Sequence, residues 1–328
     1  MQILMSDAAY RRVGGALAAM GEDLDVVTLD PDGVFHHAGA AIPAAEVDPE
    51  VFWMSLDLYK TGPMPLFFGT LLGGSRGRWI QVPAAGLDNP IFKKLMAKGL
   101  RLTKSTAQAP PIAEYVMAHA LSILHPIAEQ ARLQAAHAWR VVEFREIAQT
   151  RWLMLGFGAI GTAIAERLAP FGAPLTVVRR HTAPEPLTAA VRPTSELLAA
   201  LPDADVVILA CALNEETRGV AGEAFFQAMK PGALLINIAR GALVDEAALK
   251  AGLDRDQPAM AVLDVFATEP LPEDSWFWAH PKVRVTAHGS NAGDGLAARG
   301  DLLFLENLKR YRAGEPLIAE ADRSEVGL

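Results

Sequence analysis

The sequence of 328 residues has a single cysteine, Cys211, and no excess of basic residues. A lone cysteine excludes an internal disulfide and any zinc site built from cysteines. Because Cys211 follows an apolar strand and has no activating neighbour in the sequence, we expect a buried thiol without a catalytic role. The net charge of −8 argues against a nucleic-acid partner, which would require a basic face.

Long apolar runs are also missing. None approaches the length of about 18 residues that a membrane span needs, and the N-terminal segment lacks a basic stretch followed by a long apolar one. We therefore expect no membrane association and a cytoplasmic location. His119, His125 and His137 do not repeat at the i, i+4 spacing of a helical metal site, so no metal is expected.

The length and composition of the chain are typical of a globular protein with about two domains. Hydrophobic residues make up 51% and charged residues 21% of the chain. Short apolar runs alternate with helical patterns in the first hundred residues, which predicts a small parallel sheet with flanking helices. The strands are expected at 2–5, 24–29, 51–54, 79–82 and 100–103. A long helical stretch at 112–139 follows, and Pro126 is expected to interrupt it.

A glycine fingerprint opens the second half of the chain. The apolar run 152–155 precedes Gly156, Gly158 and Gly161 in the spacing G-x-G-x-x-G, and a helical pattern and a second apolar run at 175–178 follow. This order predicts a strand, a tight turn and a helix whose N-terminus binds the pyrophosphate of a dinucleotide. The residues predicted to contact the dinucleotide are Gly156, Phe157, Gly158, Ala159, Ile160 and Gly161.

Polar side chains follow the later strands of the same domain. Apolar runs at 205–210, 233–238, 259–263 and 282–286 complete a doubly wound sheet of six predicted strands, whose ligands bind at the carboxyl ends. Arg240, Glu269 and His288 lie after three of these strands in turn, and Asp264 ends one of them. Reduction of a 2-keto acid needs these groups, because a guanidinium can hold the carboxylate, an imidazole can protonate the oxygen, and a nearby carboxylate favours the charged imidazole.

These motifs resemble those of the D-isomer-specific 2-hydroxyacid dehydrogenases, which include formate, phosphoglycerate and glyoxylate/hydroxypyruvate dehydrogenases or reductases. The resemblance covers nearly the whole chain, in the family's order. The matching segments are AAGLD at 84–88, IAEYV at 112–116, GFGAIG at 156–161, NIARGALVDEAAL at 237–249, DVFATEPLP at 264–272, the segment around His288, and ENLKRYRAGEPL at 306–317.

The resemblance implies a role for each site residue. Arg240 would bind and polarise the substrate, His288 would be the acid/base, and Glu269 would pair with it. Asp264 would contact the nicotinamide amide, and Ala239 would lie among the coenzyme-binding residues.

The resemblance also implies the fold. An α/β architecture is expected, with a Rossmann doubly wound parallel sheet domain (109–289) inserted in a smaller flavodoxin-like α/β substrate domain (1–108 and 290–328). The C-terminal helix, about residues 296–312, would return to complete the first domain. A homodimer that forms through the arm after Pro111 is implied too.

One departure from the family pattern concerns the coenzyme. NAD enzymes usually carry an Asp at the end of the second strand, where it binds the ribose 2′-hydroxyl and repels a 2′-phosphate. Here the position is Arg179, followed by Arg180. We therefore predict that the chain prefers NADP(H). NAD stays possible, since a basic turn can also be solvated and an arginine can stack on adenine.

The substrate is specified only as a small 2-keto or 2-hydroxy acid. Glyoxylate or hydroxypyruvate is the default, and a bulkier acid would fit if Trp53, Trp276 and Trp278 lined the pocket rather than packing in a core or interface. The segment 54–58 is expected to share the substrate carboxylate with Arg240. The alternatives are an NAD-dependent enzyme of the same family and a coenzyme-sensing regulatory protein without turnover.

Overall fold

The computed structural model describes residues 1–328, the side chain of residue 61 excepted. The chain divides into one unit formed by Met1–Ala107 with Asp294–Leu328, and a second unit formed by Gln108–Gly293. The assignment of the first unit to the substrate and of the second to the coenzyme stays a prediction.

A mixed sheet forms the centre of the first unit. Its strands are β1 (Gln2–Ser6), β2 (Asp25–Leu29), β3 (Phe35–His37), β4 (Ala40–Ile42), β5 (Val51–Trp53), β6 (Trp79–Gln81) and β7 (Arg101–Thr103). They lie in the order β4-β3-β2-β1-β5-β6-β7, and β2, β1, β5, β6 and β7 are parallel. This parallel part has the flavodoxin-like order.

The hairpin of β3 and β4 corrects the prediction of a purely parallel sheet. Both strands pair antiparallel, β3 with β2 and β4 with β3. His36 Nε2 contacts Asp30 at 2.8 Å and His37 Nε2 contacts Asp25 at 2.5 Å. Strand β3 carries two histidines, which interrupt an apolar run, and β4 consists of only three residues, AAI, two of which are alanines.

Helices cover both faces of this sheet. They are α1 (Asp7–Ala19), α2 (Leu56–Thr61), α3 (Met64–Gly73) and α4 (Pro90–Ala97) before the chain enters the second unit. Ser6 ends β1 and caps α1, because its Oγ accepts a hydrogen bond from the Ala9 amide at 3.0 Å. Successive residues of the strands face opposite layers, so that Ile3 and Met5 belong to one buried cluster and Leu4 to the other.

A parallel sheet with helices on both faces forms the second unit. Its strands are β8 (Trp152–Leu155), β9 (Leu175–Val178), β10 (Ala190–Arg192), β11 (Val206–Leu209), β12 (Leu234–Asn237), β13 (Met260–Leu263) and β14 (Val283–Val285). The order is β10-β9-β8-β11-β12-β13-β14, with every pair parallel. The predicted Rossmann arrangement is confirmed, and β10 is added at one edge.

The helices of the second unit form two layers. They are α5 (Ala109–Leu124), α6 (Ile127–Ala135), α7 (Ala159–Leu168), α8 (Leu197–Ala200), α9 (Glu223–Ala228) and α10 (Glu246–Asp254). Helices α5 and α7 pack with Trp152 and Met154 on one face of the sheet, whereas α8, α9 and α10 pack with Leu153 and Leu155 on the other. Pro126 separates α5 from α6, as predicted.

Helix α11 (Leu296–Ala313) returns to the first unit. Its Phe304 stacks on Trp53 with ring centroids 4.3 Å apart, and it also stacks on Trp79 at 5.7 Å. Within the described residues, no helix is both long and apolar enough to cross a membrane.

Candidate active site

The fingerprint loop connects β8 to α7. Gly156 has a φ of +91°, and a Cβ at this position would lie 2.6 Å from Cys211 Cα, so only glycine fits. A Cβ on Gly158 would meet nothing within 4 Å, which leaves open space above the turn. A Cβ on Gly161 would lie 3.1 Å from the sulfur of Met154, so this glycine allows α7 to pack closely on β8.

The N-terminus of α7 provides donors at the same place. Gly158 is the N-cap residue and has no side chain, so the amides of Ile160 and Gly161 lack the side-chain acceptor that an N-cap often supplies. Open space beside the first amides of a helix fits the pyrophosphate of a dinucleotide. The predicted strand, turn and helix are all present, and their role in coenzyme binding stays a prediction.

Arg179 directly follows β9, at the position where an adenosine ribose would be bound. Its Nη1 lies 2.8 Å from Glu185 Oε1, its Nη2 donates to Ala183 O at 2.9 Å, and its guanidinium lies over the Phe157 ring at 5.7 Å. The neighbouring Arg180 is exposed. The two arginines therefore differ, since one is held by the protein and the other faces solvent.

The turn after β12 carries Arg240. Asn237, fully buried, accepts a hydrogen bond from the Ala239 amide at 3.0 Å and donates to Arg240 O at 3.1 Å, which fixes the turn. Arg240 Nη1 donates to Ala239 O at 2.8 Å. A Cβ on Gly241 would lie 1.9 Å from the backbone carbon of Phe266, so the turns after β12 and β13 pack backbone against backbone.

Asp264 ends the β13 segment as a fully buried carboxylate. Its Oδ1 accepts hydrogen bonds from Thr286 Oγ1 at 2.6 Å and from the Gly289 amide at 2.8 Å, and its Oδ2 accepts one from the Ser290 amide at 3.0 Å. The His288 amide also donates to the backbone oxygen of Asp264 at 2.8 Å. Asp264 thus organises the loop that carries His288, in addition to its predicted contact with the coenzyme.

His288 and Glu269 are brought together, as the resemblance implied. His288 Nδ1 lies 2.8 Å from Glu269 Oε2, and the other oxygen of Glu269 accepts a hydrogen bond from the Phe266 amide at 2.9 Å. Their side chains are 46% and 37% exposed. Because Nδ1 faces the carboxylate, Nε2 is the nitrogen that can exchange a proton with a bound molecule.

Several contributors carry no separate signal in the sequence. Thr286 and Tyr115 extend the Asp264 network, with the Tyr115 hydroxyl 2.8 Å from Thr286 Oγ1, and burial raises the pKa of Tyr115 to about 12. Glu246, at the start of α10, accepts a hydrogen bond from the Ala267 amide at 3.2 Å and so supports the turn between Asp264 and Glu269. Only the presence of Tyr115 in the IAEYV segment could have indicated its involvement.

Other proposed site residues have different surroundings. Trp53 is a core residue of the first unit, Trp276 stacks on Phe277 with centroids 4.1 Å apart, and Trp278 is exposed. Ser55, in the segment expected to bind a carboxylate, is buried and caps α2 by accepting a hydrogen bond from the Leu58 amide at 3.4 Å. Burial raises the pKa of the Cys211 thiol to about 11, so the thiol is protonated at neutral pH.

A parallel Rossmann sheet with this fingerprint defines a dinucleotide-binding α/β protein. The model of the D-isomer specific 2-hydroxyacid dehydrogenase NAD binding domain matches residues 117–290. The chain therefore belongs to the D-isomer specific 2-hydroxyacid dehydrogenase family, an oxidoreductase family that uses a nicotinamide coenzyme, and the resemblance found in the sequence is confirmed.

Similar proteins come from several bacteria. Glyoxylate/hydroxypyruvate reductase A of Klebsiella pneumoniae (strain 342) is 30% identical over 237 residues, which cover 72% of this chain and 75% of that protein. Glyoxylate/hydroxypyruvate reductase A of Serratia proteamaculans (strain 568) is 32% identical over 58% of this chain and 60% of its own length. The D-isomer specific 2-hydroxyacid dehydrogenase of Xanthobacter autotrophicus Py2, solved with NADPH and MES, is 26% identical with a TM-score of 0.77, over 99% of this chain and 100% of that one.

Proposed function

We propose that the protein is an NADP(H)-dependent reductase of small 2-keto acids, of the glyoxylate/hydroxypyruvate type. The observation that carries this proposal is the pair of His288 Nδ1 and Glu269 Oε2 at 2.8 Å. The pair follows β13 and β14 at the carboxyl edge of the sheet, and the fingerprint loop follows β8 at the same edge. An acid and a coenzyme turn thus share the edge where such sheets bind their ligands.

In the proposed reaction, each side chain of the site has a separate role. Glu269 holds the imidazole through Nδ1, so that Nε2 of His288 gives its proton to the carbonyl oxygen of the substrate as the alcohol forms. Arg240 binds the substrate carboxylate and draws electron density from the carbonyl. Asp264 fixes the loop that carries His288. The bound coenzyme supplies the hydride.

The preference for NADP(H) is supported by the residues after β9. Arg179 and Arg180 stand where an acid would repel a 2′-phosphate, and the exposed Arg180 offers a cation at the surface. The Xanthobacter structure, which contains NADPH, belongs to a protein with 26% identity to this chain. Phe157, beneath Arg179, completes the adenosine end of the proposed site.

A coenzyme comparison tests the preference. Steady-state kcat/KM and equilibrium Kd are measured for NADPH and NADH with glyoxylate as the second substrate. The proposal expects the larger kcat/KM and the smaller Kd for NADPH. Equal or better turnover with NADH would identify an NAD-dependent enzyme of the same family.

A panel of 2-keto acids tests the reaction itself. Glyoxylate, hydroxypyruvate, pyruvate, 2-ketobutyrate and phenylpyruvate are offered with NADPH and with NADH, and oxidation of the coenzyme is followed by absorbance. The proposal expects the highest kcat/KM for glyoxylate or hydroxypyruvate. Coenzyme binding without oxidation by any acid would favour a regulatory protein.

A homodimer is part of the proposal. Four apolar side chains of α6 and the segment after it are exposed, namely those of Ile127, Trp139, Val141 and Phe144. Exposed apolar patches of this kind mark interaction surfaces. Sedimentation velocity is expected to give a dimer for the native chain, and a monomer when Trp139 and Val141 are both replaced by serine. We also retain the expectation of a cytoplasmic location, with which a lone cysteine is compatible.

A further inference from the structure

We propose that Glu185 moderates the coenzyme preference by competing with a 2′-phosphate for Arg179. The proposal rests on the proposed binding of NADP(H). It concerns the loop that connects β9 to β10, in which Glu185 lies.

Arg179 is already occupied by the protein. Its Nη1 lies 2.8 Å from Glu185 Oε1, and its Nη2 donates to Ala183 O at 2.9 Å. Its Nε is buried and, among the described residues, has no hydrogen-bond acceptor. The side chains of Arg179 and Glu185 are 17% and 29% exposed, so the pair is partly shielded from solvent. A phosphate that approached Arg179 would compete with a carboxylate that already lies 2.8 Å from Nη1.

The loop keeps Glu185 in place for this contact. The Thr188 amide donates to the backbone oxygen of Glu185 at 3.1 Å, and Thr188 Oγ1 donates to the same oxygen at 2.9 Å. These bonds hold the backbone, whereas the Glu185 side chain stays partly exposed and can rotate away. The carboxylate can therefore yield to a dianion that binds Arg179 more strongly.

The competition has a defined consequence for specificity. Glu185 weakens binding of the 2′-phosphorylated coenzyme and leaves binding of the unphosphorylated one unchanged, because only the phosphate needs Arg179. Replacing the carboxylate with a neutral amide removes the competing charge and keeps the size of the side chain. The variant Glu185→Gln should therefore discriminate more strongly in favour of NADP(H).

Two fragments of the coenzyme provide the test, since 2′,5′-ADP carries the 2′-phosphate and 5′-AMP does not. Calorimetric titration of the full-length protein should show that Glu185→Gln lowers the Kd of 2′,5′-ADP about fivefold, the upper end of the coupling measured for exposed ion pairs. The Kd of 5′-AMP should not change. In an Arg179→Gln background, the same substitution should give no gain.

A matched variant controls for general electrostatics. Glu196 is an acid of the same unit, paired with Arg192 at 3.8 Å and without a contact to Arg179. Glu196→Gln removes the same charge and should leave the Kd of 2′,5′-ADP unchanged. A comparable gain in this variant would overturn the proposal.

Three other results would also overturn it. The first is an unchanged Kd of 2′,5′-ADP in Glu185→Gln, and the second is a raised Kd in that variant. The third is a decrease in this Kd that persists in full in the Arg179→Gln background. Failure of the NADP(H) preference is seen separately, because it is read from the wild-type protein as equal binding of the two fragments. The Glu185 effect is read from the ratio of variant to wild type.

Discussion

Two pairs of a basic and an acidic side chain lie at the carboxyl edge of the same sheet. His288 contacts Glu269 after β14, and Arg179 contacts Glu185 after β9, both at 2.8 Å. The distances are equal, yet the proposed roles are opposite. In the first pair the carboxylate assists the chemistry, whereas in the second it opposes ligand binding.

The two carboxylates differ in their proposed roles because the basic side chains they contact have different functions in the proposal. In the proposal, the imidazole of His288 gives up a proton from Nε2, and the adjacent carboxylate holds the ring through Nδ1. The guanidinium of Arg179 must attract an anion, and an adjacent carboxylate competes with that anion. A short contact therefore does not assign a role until the charge of the ligand is known.

The surroundings of the pairs differ in the same sense. Glu269 is fixed through its second oxygen by the Phe266 amide at 2.9 Å, and His288 is fixed through its backbone to Asp264. Apart from its contact with Arg179, Glu185 is held through its backbone oxygen, by Thr188. We therefore expect the His288–Glu269 contact to remain when a ligand binds, and the Arg179–Glu185 contact to separate.

Removing the imidazole should have the largest effect. His288→Ala is expected to lower kcat by about 10²- to 10⁴-fold, the range for loss of a general acid. The Kd of NADPH should hardly change, because the fingerprint loop is untouched. His280→Ala, at the amino end of β14, is the control and should keep its activity. Retained turnover in His288→Ala would remove His288 from the acid/base role.

The next prediction concerns the partner of that imidazole. Glu269→Gln keeps the shape of the side chain but removes the charge that faces Nδ1. Since a hydrogen bond to a charged group contributes about 1.5–3 kcal/mol, we expect kcat to fall about 10- to 100-fold. Single-turnover measurements at saturating NADPH separate this loss from any change in binding. A normal rate would mean that the contact is structural, and the comparison of the two pairs would fail.

Substitutions at Gly156 and Gly158 should separate an effect on the stability of the fold from an effect on coenzyme binding. Gly156→Ala places a Cβ 2.6 Å from Cys211 Cα and should destabilise the protein by about 1–3 kcal/mol, the usual cost of overpacking. Gly158→Ala extends into open space and should keep the wild-type stability while it weakens coenzyme binding. Urea unfolding and calorimetric titration measure the two effects. Equal loss of stability in both variants would contradict this division.

Sequence patterns predicted the core of the fold because buried parallel strands are continuous apolar runs. Strands β8, β11 and β12 are fully buried, β13 is buried except for its first residue, and all four were expected. Strands β3, β4 and β10 were not expected. Each has at least two residues that are not buried, β4 and β10 lie at sheet edges, and β3 lies between β4 and β2. An edge strand is stabilised by its neighbour's backbone, which leaves little trace in its own side chains.

The sequence could predict those residues of the candidate site that come after the apolar strands of the sheet. Glu269 and His288 were expected as a pair and lie at hydrogen-bonding distance. The three hydrogen bonds that the Asp264 carboxylate accepts were not foreseen, because two of them come from backbone amides, which any residue provides. The contact of Arg179 with Glu185 was not foreseen either, because it depends on the path of an irregular loop.

The smallest expected effect returns to Arg179. Because its charge is shared with Glu185 at 2.8 Å, Arg179→Ala should raise the Kd of NADPH relative to that of NADH by only about fivefold, the upper end for exposed ion pairs. Arg151→Ala, at the amino end of β8, should change neither Kd. Equal weakening of NADPH and NADH would show that Arg179 supports the adenosine rather than the phosphate. A loss far above tenfold would mean that Glu185 does not restrain Arg179 in the free protein, and the two pairs would then have the same role.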